Sequence, residues 1–456
     1  MLAGRARFFV LIGLLAICAL GGGGSRSDIL SLLYLRPAAA LALAAFVLLP
    51  GAWDWRGLKV PLLLLGALAL VIAIQLVPLP PGLWMALPGH AAFTEAPQLA
   101  GVGDQWRPLS LTPDLTRHSL LSLLPALAVL VGYAGITEEQ RRSLILVLFA
   151  MLGATVILGI LQITGGPTSP AYLYAVTSRE SPVGLFANRN HQAALLACGF
   201  PLLRAWSLLR AETARQQRRR EILALGMGLA LMVMVVVVGS RSGLALAGFG
   251  LIAAALLTPP GRAEGSRGKL LRVLAAIAVA AGAMLALAIM FGRATAIDRL
   301  LNANLSEEQR VEAFPVLLDI AREFLPWGSG FGSFDPVYRS YEPDQLLSFF
   351  YLNHAHNDWL ELALTGGIPA VIVLLAFLAW FSVSAGQAFW PWRTGSQGVL
   401  FARAGAVMVT IFGLASLVDY PLRTPFVSVI FTIACAWLAT MGRVRAQSAD
   451  ASGQLP

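Results

Sequence analysis

Twelve stretches of this chain are almost wholly apolar: residues 7–22, 32–50, 58–79, 117–135, 142–164, 191–209, 221–238, 242–258, 270–291, 358–384, 399–418 and 424–441. Most are about as long as a helix must be to cross a hydrocarbon core of roughly 30 Å. Within hydrocarbon every backbone N–H and C=O must be satisfied inside its own segment, so the pattern predicts helices and not isolated strands. The polar segments between them are short, except for 292–357 between the ninth and tenth spans. That loop carries its own helix signal. Ser306 and Gln309 form an S-E-E-Q capping box with Glu307 and Glu308 in the first turn, predicting a helix to about Leu325 with a kink at Pro315. WGSGFGSF at 327–334 then predicts a glycine-rich turn. The expectation is an all-α polytopic membrane protein, a single integral membrane domain over 1–456 with about 12 transmembrane helices. One large loop at 292–357 contains helices, and a disordered tail at 443–456 is polar.

Composition agrees. Only 12% of the 456 residues are charged and 57% are hydrophobic, whereas a soluble domain carries roughly a quarter charged residues. Cys18, Cys198 and Cys435 lie inside apolar runs and form neither a disulfide framework nor a zinc site. Arg5 and Arg7 before FFVLIGLLAICAL mimic a secretion signal, but no A-x-A cleavage site follows and Ile17 before Cys18 spoils a lipoprotein site. The segment is expected to be a first membrane helix.

The net charge of +9 matters through its distribution, and no nucleic-acid partner is expected. Alternation from a cytoplasmic N-terminus puts Arg56, Lys59, Arg141, Arg142, RQQRRR at 215–220, Arg262, Arg267, Lys269, Arg272, Arg393, Arg443 and Arg445 on one side. That is the positive-inside pattern, with both termini cytoplasmic. These basic loops need no role beyond orientation, with contact to anionic membrane lipids as the alternative.

The opposite side collects polar chemistry. Arg179, Asn188, Asn190 and His191 lie in TSRESPVGLFANRNHQA, Arg241 in GSRSG, Arg310 in EEQRVEAF, and His356 and Asn357 in NHAHNDWLELALTGG. Each has a plainer reading: Asn188 and Asn190 cap the following helix, Arg241 reaches for headgroups, Arg310 is surface charge, and Glu361 pairs with an arginine. Taken together, several arginines on one side and no D-x-D pair for a metal-held nucleotide-sugar point to a diphosphate. Guanidinium binds phosphate oxygens bidentately and stays charged. Lipid diphosphate sugars on the outer face of a bacterial inner membrane fit, and a histidine suits the base for an incoming hydroxyl.

These elements resemble the O-antigen ligase and O-antigen polymerase superfamily of bacterial membrane glycosyltransferases. The resemblance rests on GLFANRNHQA (184–193), GSRSG (239–243), R-x-x-x-F (310–314), WGSGFGSF and above all HNDWLELALTGG (356–367). It implies a helical fold of the GT-C kind and an undecaprenyl-diphosphate-linked glycan donor used at the periplasmic face without cofactor or metal. It also implies roles. His356 would be the base or acceptor-orienting group; Arg179, Arg241 and Arg310 would bind diphosphate; Asn188, Asn190 and Asn357 would support the site. Arg423, beside Asp419, joins the substrate-binding candidates although it matches the family's motifs poorly. Arg189 has no assignment.

The expected activity is ligase-like: an oligo- or polysaccharide passes to a hydroxyl of lipid A–core in lipopolysaccharide biosynthesis. The alternative is a polymerase of O-antigen or exopolysaccharide repeat units, whose acceptor is a growing glycan and which works with a chain-length regulator. Behind these stand a protein O-oligosaccharyltransferase and a twelve-helix transporter or flippase. The string H-x-H-x-D at 354–358 invites a metal reading. A metal needs three or four converging ligands, and neighbours at i and i+2 on a helix point about 200° apart. No metal site is expected, and His354 is expected to be a bystander.

Overall fold

A computed structural model of the chain describes residues 2–257, 305–347, 352–390 and 397–441. The ninth apolar stretch (270–291), the basic segment around 262–272, Arg393 and the tail from 443 lie outside the described residues, as do the side chains of the 306–309 capping box. The other eleven apolar stretches are helical. In chain order the helices are α1 (Leu2–Gly21), α2 (Leu32–Leu48), α3 (Lys59–Ile74), the short α4 (Pro81–Met85) and α5 (Glu95–Leu99), α6 (Pro113–Leu121), α7 (Leu124–Ala134), α8 (Glu138–Gly165), α9 (Arg189–Ser207), α10 (Ala214–Val238) and α11 (Arg241–Leu256). The loop helices α12 (Leu305–Glu323) and α13 (Phe334–Tyr341) follow, then α14 (Asp358–Phe389), α15 (Gln397–Ala415) and α16 (Pro425–Met441). A two-residue antiparallel pairing of Pro78–Leu79 with Arg107–Pro108 is the only ladder among the described residues.

Among the described residues, five helical segments are long and apolar enough to cross a membrane: α6 with α7, α8, α10, α14 and α15. The helices α2, α3, α11 and α16 are apolar but shorter. The chain is therefore a helical membrane protein, and the expected twelve crossings go beyond these five. Large apolar side chains left bare on the outside, such as Leu41, Leu63, Leu146 and Leu375, would be a liability in water and are ordinary against lipid.

Helix ends explain much of the layout. Gly239 closes α10 in the left-handed conformation at φ +65°, and Ser240 opens α11 by accepting from the Gly243 N–H at 3.0 Å. GSRSG is thus a helix stop followed at once by a helix start. Small residues then let helices touch: a Cβ on Gly243 would stand 2.3 Å from Ala193 of α9, and one on Gly250 would stand 2.8 Å from the Ala197 carbonyl. The result is a central α9 that is buried along most of its length.

The loop after the ninth apolar stretch is docked, not loose. α12 contains Pro315 and ends near the expected Leu325. The helix α14 breaks at Gly367, whose φ of +61° and ψ of −160° are not helical. That break frees polar groups, and WGSGFGSF takes them up. Ser329 N–H donates to Leu364 O at 3.1 Å, Gly330 N–H to Thr365 O at 2.9 Å, and Ile368 N–H to Pro326 O at 2.8 Å. Gln75, at the end of α3 and 3% exposed, bonds Thr365 O, Trp327 O and the Phe331 N–H. The glycine-rich turn therefore fixes α12 relative to the start of α14, and so Arg310 relative to His356.

Candidate functional site

A polar cavity of about 990 Å³ lies where the ends of α1, α9 and α12 meet the loops at 173–190, 353–356 and 419–420. Its lining includes Arg179, Asn188, Arg189, Asn190, His191, Arg310, Asn353, His356 and Tyr420. Four segments far apart in sequence thus contribute to one space.

The segment 173–190 is held against α8 by two buried polar side chains. Thr155 accepts from the Leu185 N–H (3.0 Å) and donates to Gln192 (2.6 Å), while Gln162 bonds both the N–H and the carbonyl of Gly184. Asn188 then caps α9, accepting from the Asn190 N–H at 2.8 Å. Its amide also donates to Asp419, at 3.2 Å to Oδ2. Asn190 donates to the same oxygen at 2.6 Å and accepts from Ser240 at 2.8 Å. The capping role and a role in the site are thus combined in Asn188, and GSRSG is wired to Asp419 through Ser240 and Asn190.

Asp419 is 1% exposed. It also accepts from the Tyr420 N–H at 2.9 Å, and His356 Nδ1 stands 3.5 Å from its Oδ1. Burial opposes its charge, but contacts with His191 and His356 outweigh burial and hold the carboxyl well below the usual carboxylate range. His356 is the one non-glycine residue with positive φ (+49°) among the described residues. This sparsely populated conformation lays its ring on Tyr420, with centroids 4.9 Å apart. Burial holds the imidazole below its ordinary value; Asp419 pulls the other way, and Arg310 adds to the lowering. Burial also pushes the Tyr420 phenol upward, so it stays a donor. If Nδ1–H faces Asp419, Nε2 is the basic nitrogen. The pair has the geometry of a carboxylate-oriented general base.

The other candidates fall elsewhere. Arg179 is exposed at the cavity, donating to Pro167 O at 3.3 Å and lying 5.9 Å from the Tyr172 ring. Arg310 lines the cavity with its Nε buried and without a hydrogen-bond partner among the described residues. Arg241 is the exposed first residue of α11, outside the cavity lining. Asn357 caps α14, accepting from the Trp359 and Leu360 N–H groups at 3.1 and 3.0 Å. Arg423 pairs with Asp358 at 2.8 Å and with Glu361 at 3.1 Å, and does not line the cavity. Glu361 also holds His354 at 3.0 Å and the Ala355 N–H at 2.8 Å. Arg423, Asn357 and His354 thus shape the loop that presents His356. Among the described residues no three His, Cys, Asp or Glu side chains converge as metal ligands do.

Residues 225–375, which carry Arg241, Arg310 and the His356 segment, match the sequence family described as O-antigen ligase. Over that segment the chain is similar to the O-antigen ligase and polymerase superfamily. No curated protein matches it. The match supports ligase- or polymerase-type activity in general. Several cavity residues, among them Arg179, Asn188, Asn190 and Tyr420, lie outside the matched segment, as does Asp419 behind them, so the site is more than that segment alone. Asp419, Tyr420 and Asn353 were missing from the sequence candidates. An acid in the otherwise apolar stretch of spans eleven and twelve was the available signal for the first.

Proposed function

We propose that the protein transfers an oligo- or polysaccharide from undecaprenyl diphosphate to an acceptor hydroxyl, that of lipid A–core, at the periplasmic face of a bacterial inner membrane. The observation that carries this reading is one cavity bordered by a carboxylate-oriented histidine and by arginines. His356 Nε2 takes the proton of the acceptor hydroxyl as its oxygen bonds to the anomeric carbon. The bond from that carbon to the phosphate oxygen breaks, and its electron pair leaves with undecaprenyl diphosphate. Arg310 meets the negative charge that develops there, a task fixed cations do best where water is scarce, while the exposed Arg179 helps to bind the diphosphate before and during the step. Displacement in one step inverts the anomeric carbon. Arg241 stays a diphosphate candidate on the resemblance alone, while Asn357 and Arg423 are assigned to holding the His356 loop.

The expected twelve crossings with both termini inside would put every cavity segment on the same side. A transporter plan with two six-helix halves would put its long loop at the centre of the chain and inside; here the long segment follows the ninth apolar stretch. The test is transfer by the purified protein in detergent, with lipid-linked oligosaccharide as donor and either lipid A–core or a second lipid-linked unit as acceptor. Transfer to lipid A–core is expected, and EDTA should leave its rate unchanged. Transfer only to the second lipid-linked unit makes the protein a polymerase. No transfer without a membrane gradient defeats the enzymatic reading.

A further inference from the structure

His191 has no part in that scheme, yet it is a buried imidazole whose nitrogens stop short of hydrogen-bond distance to any partner among the described residues. It is 1% exposed, and neither ring nitrogen has a hydrogen-bond partner among the described residues. At least one of those nitrogens carries a hydrogen when the ring is neutral, and leaving it unpaired away from water is costly. Its Nε2 stands 3.6 Å from Asp419 Oδ1, the same oxygen that His356 approaches to 3.5 Å. Two imidazoles, from α9 and from the loop before α14, therefore converge on one carboxylate oxygen. Tyr420 fills the angle between them, meeting His191 edge-on at 5.2 Å and His356 face-on at 4.9 Å.

We propose that His191 is a positioning residue for the transfer step: its Nε2–H closes on Asp419 Oδ1 in the reacting complex and fixes the carboxylate that orients His356. This rests on the reading of His356 as the base. The carboxylate's other oxygen is already held by Asn188 and Asn190. When His356 accepts the acceptor's proton it becomes cationic, and its contact with Oδ1 shortens as a charge-assisted hydrogen bond. Oδ1 is held by the N–H of the adjacent Tyr420 at 2.9 Å and more loosely by Asn188 at 3.4 Å, so the pull of a cationic His356 would still turn the carboxylate and carry the ring off the acceptor oxygen. A further donor on Oδ1 resists that turn. The present separation is a few tenths of an ångström too long, a slack that catalytic contacts commonly take up only in the reacting complex.

The test uses the full-length protein in the transfer assay, with kcat, KM and Tm measured for His191→Gln, His191→Asn and His191→Phe. A glutamine amide reaches as far as Nε2, an asparagine amide only as far as Nδ1, and phenylalanine keeps the ring packing without a donor. Gln should keep kcat within about 3-fold, while Asn and Phe lose about 10–100-fold with KM little changed, as removal of an orienting partner does. If Phe fails to fold, the ratio of Gln to Asn decides. Full kcat in Asn and Phe, equal loss in Gln, or a change confined to KM would each overturn the inference. His356→Ala runs alongside. If it is inactive while His191→Asn is unaltered, the inference alone falls; if it is active, the reading beneath it falls.

Discussion

The two ends of the helical bundle use arginine in opposite ways. At the end away from the cavity, Arg7, Arg141 and Arg403 are 1%, 4% and 1% exposed, and each donates to backbone carbonyls, although the Arg7 Nε has no partner among the described residues. Arg7 donates to Leu49 O and Ala52 O, just past α2; Arg141 to Tyr133 O in the last turn of α7; Arg403 to Ala388 O in the last turn of α14. Each also lies over an aromatic ring: Trp53, Tyr133 or Phe389. Carbonyls at a helix C-terminus lack partners within the helix and carry its partial negative charge, so a guanidinium there is a staple. At the cavity end, Arg310 leaves its Nε unpartnered among the described residues and Arg179 touches one carbonyl at 3.3 Å. What separates a structural arginine from an available one is whether its guanidinium holds the carbonyls at or just past a helix end. Depth of burial does not decide it.

The strongest way to break this contrast is at the cavity end. His356→Ala should cost about 10²–10⁴-fold in kcat, the usual worth of a positioned base, with Tm little changed. Full transfer by this variant would mean that the cavity is not the site. Arg310→Gln should cost about 10²–10³-fold, as loss of a charge-stabilising donor does, and it should also move the pH profile. His356 acts as a base when neutral, so the rate rises with pH through its pKa, which burial and Arg310 hold below the ordinary value. Removing the arginine's charge lifts that pKa, and the acid limb moves upward. Removing the carboxylate in Asp419→Asn takes away the opposing pull, and the limb moves downward. If the limb moves in neither variant, His356 is not the group that titrates.

The sequence made this end legible by type more than by place. Each apolar stretch on described residues became a helix, because twenty apolar residues in lipid leave the backbone little else to do. His356, Arg179 and Arg310 share the cavity expected of them, since charged and amide groups beside apolar spans need a common polar space. Arg423 and Asn357 instead meet partners a few residues away along the fold, Asp358 and Glu361 for one and the α14 amides for the other. Such pairings depend on the turn between α15 and α16 folding back on α14, which no spacing in the chain encodes. Asp419 was passed over for the same reason: its donors come from residues 188–190 and 356, far off in sequence. Charge sidedness likewise assigns Arg141 to a basic loop and gives no hint that it is buried.

At the other end, Arg141→Leu should lower stability and leave kcat per folded molecule alone. The loss orphans Tyr133 O, while the Asp54 carboxylate is 49% exposed and adds little as an ion pair. A cost of about 1–3 kcal/mol is expected from the buried carbonyl, read as a drop in Tm on the order of 5 °C. A variant that is stable but inactive would put Arg141 in the chemistry and dissolve the contrast between the two ends.

The mildest effect belongs to Arg179, which tests how far availability alone carries function. It faces the cavity, but it is exposed and stands in water-accessible surroundings. A charge there attracts a diphosphate through a high dielectric, where two unit charges 4 Å apart gain only about 1 kcal/mol. Arg179→Ala should therefore raise KM by about 3–10-fold at low salt, with kcat unchanged, because a roughly 1 kcal/mol contact is lost equally from bound substrate and transition state. The difference from wild type should shrink as ionic strength rises and the Debye length falls toward about 3 Å at 1 M salt. Arg310, partly buried beside His356, should keep most of its effect under the same salt. If the two variants respond to salt alike, the cavity does not grade its arginines by depth, and Arg179 holds the diphosphate as closely as Arg310 does.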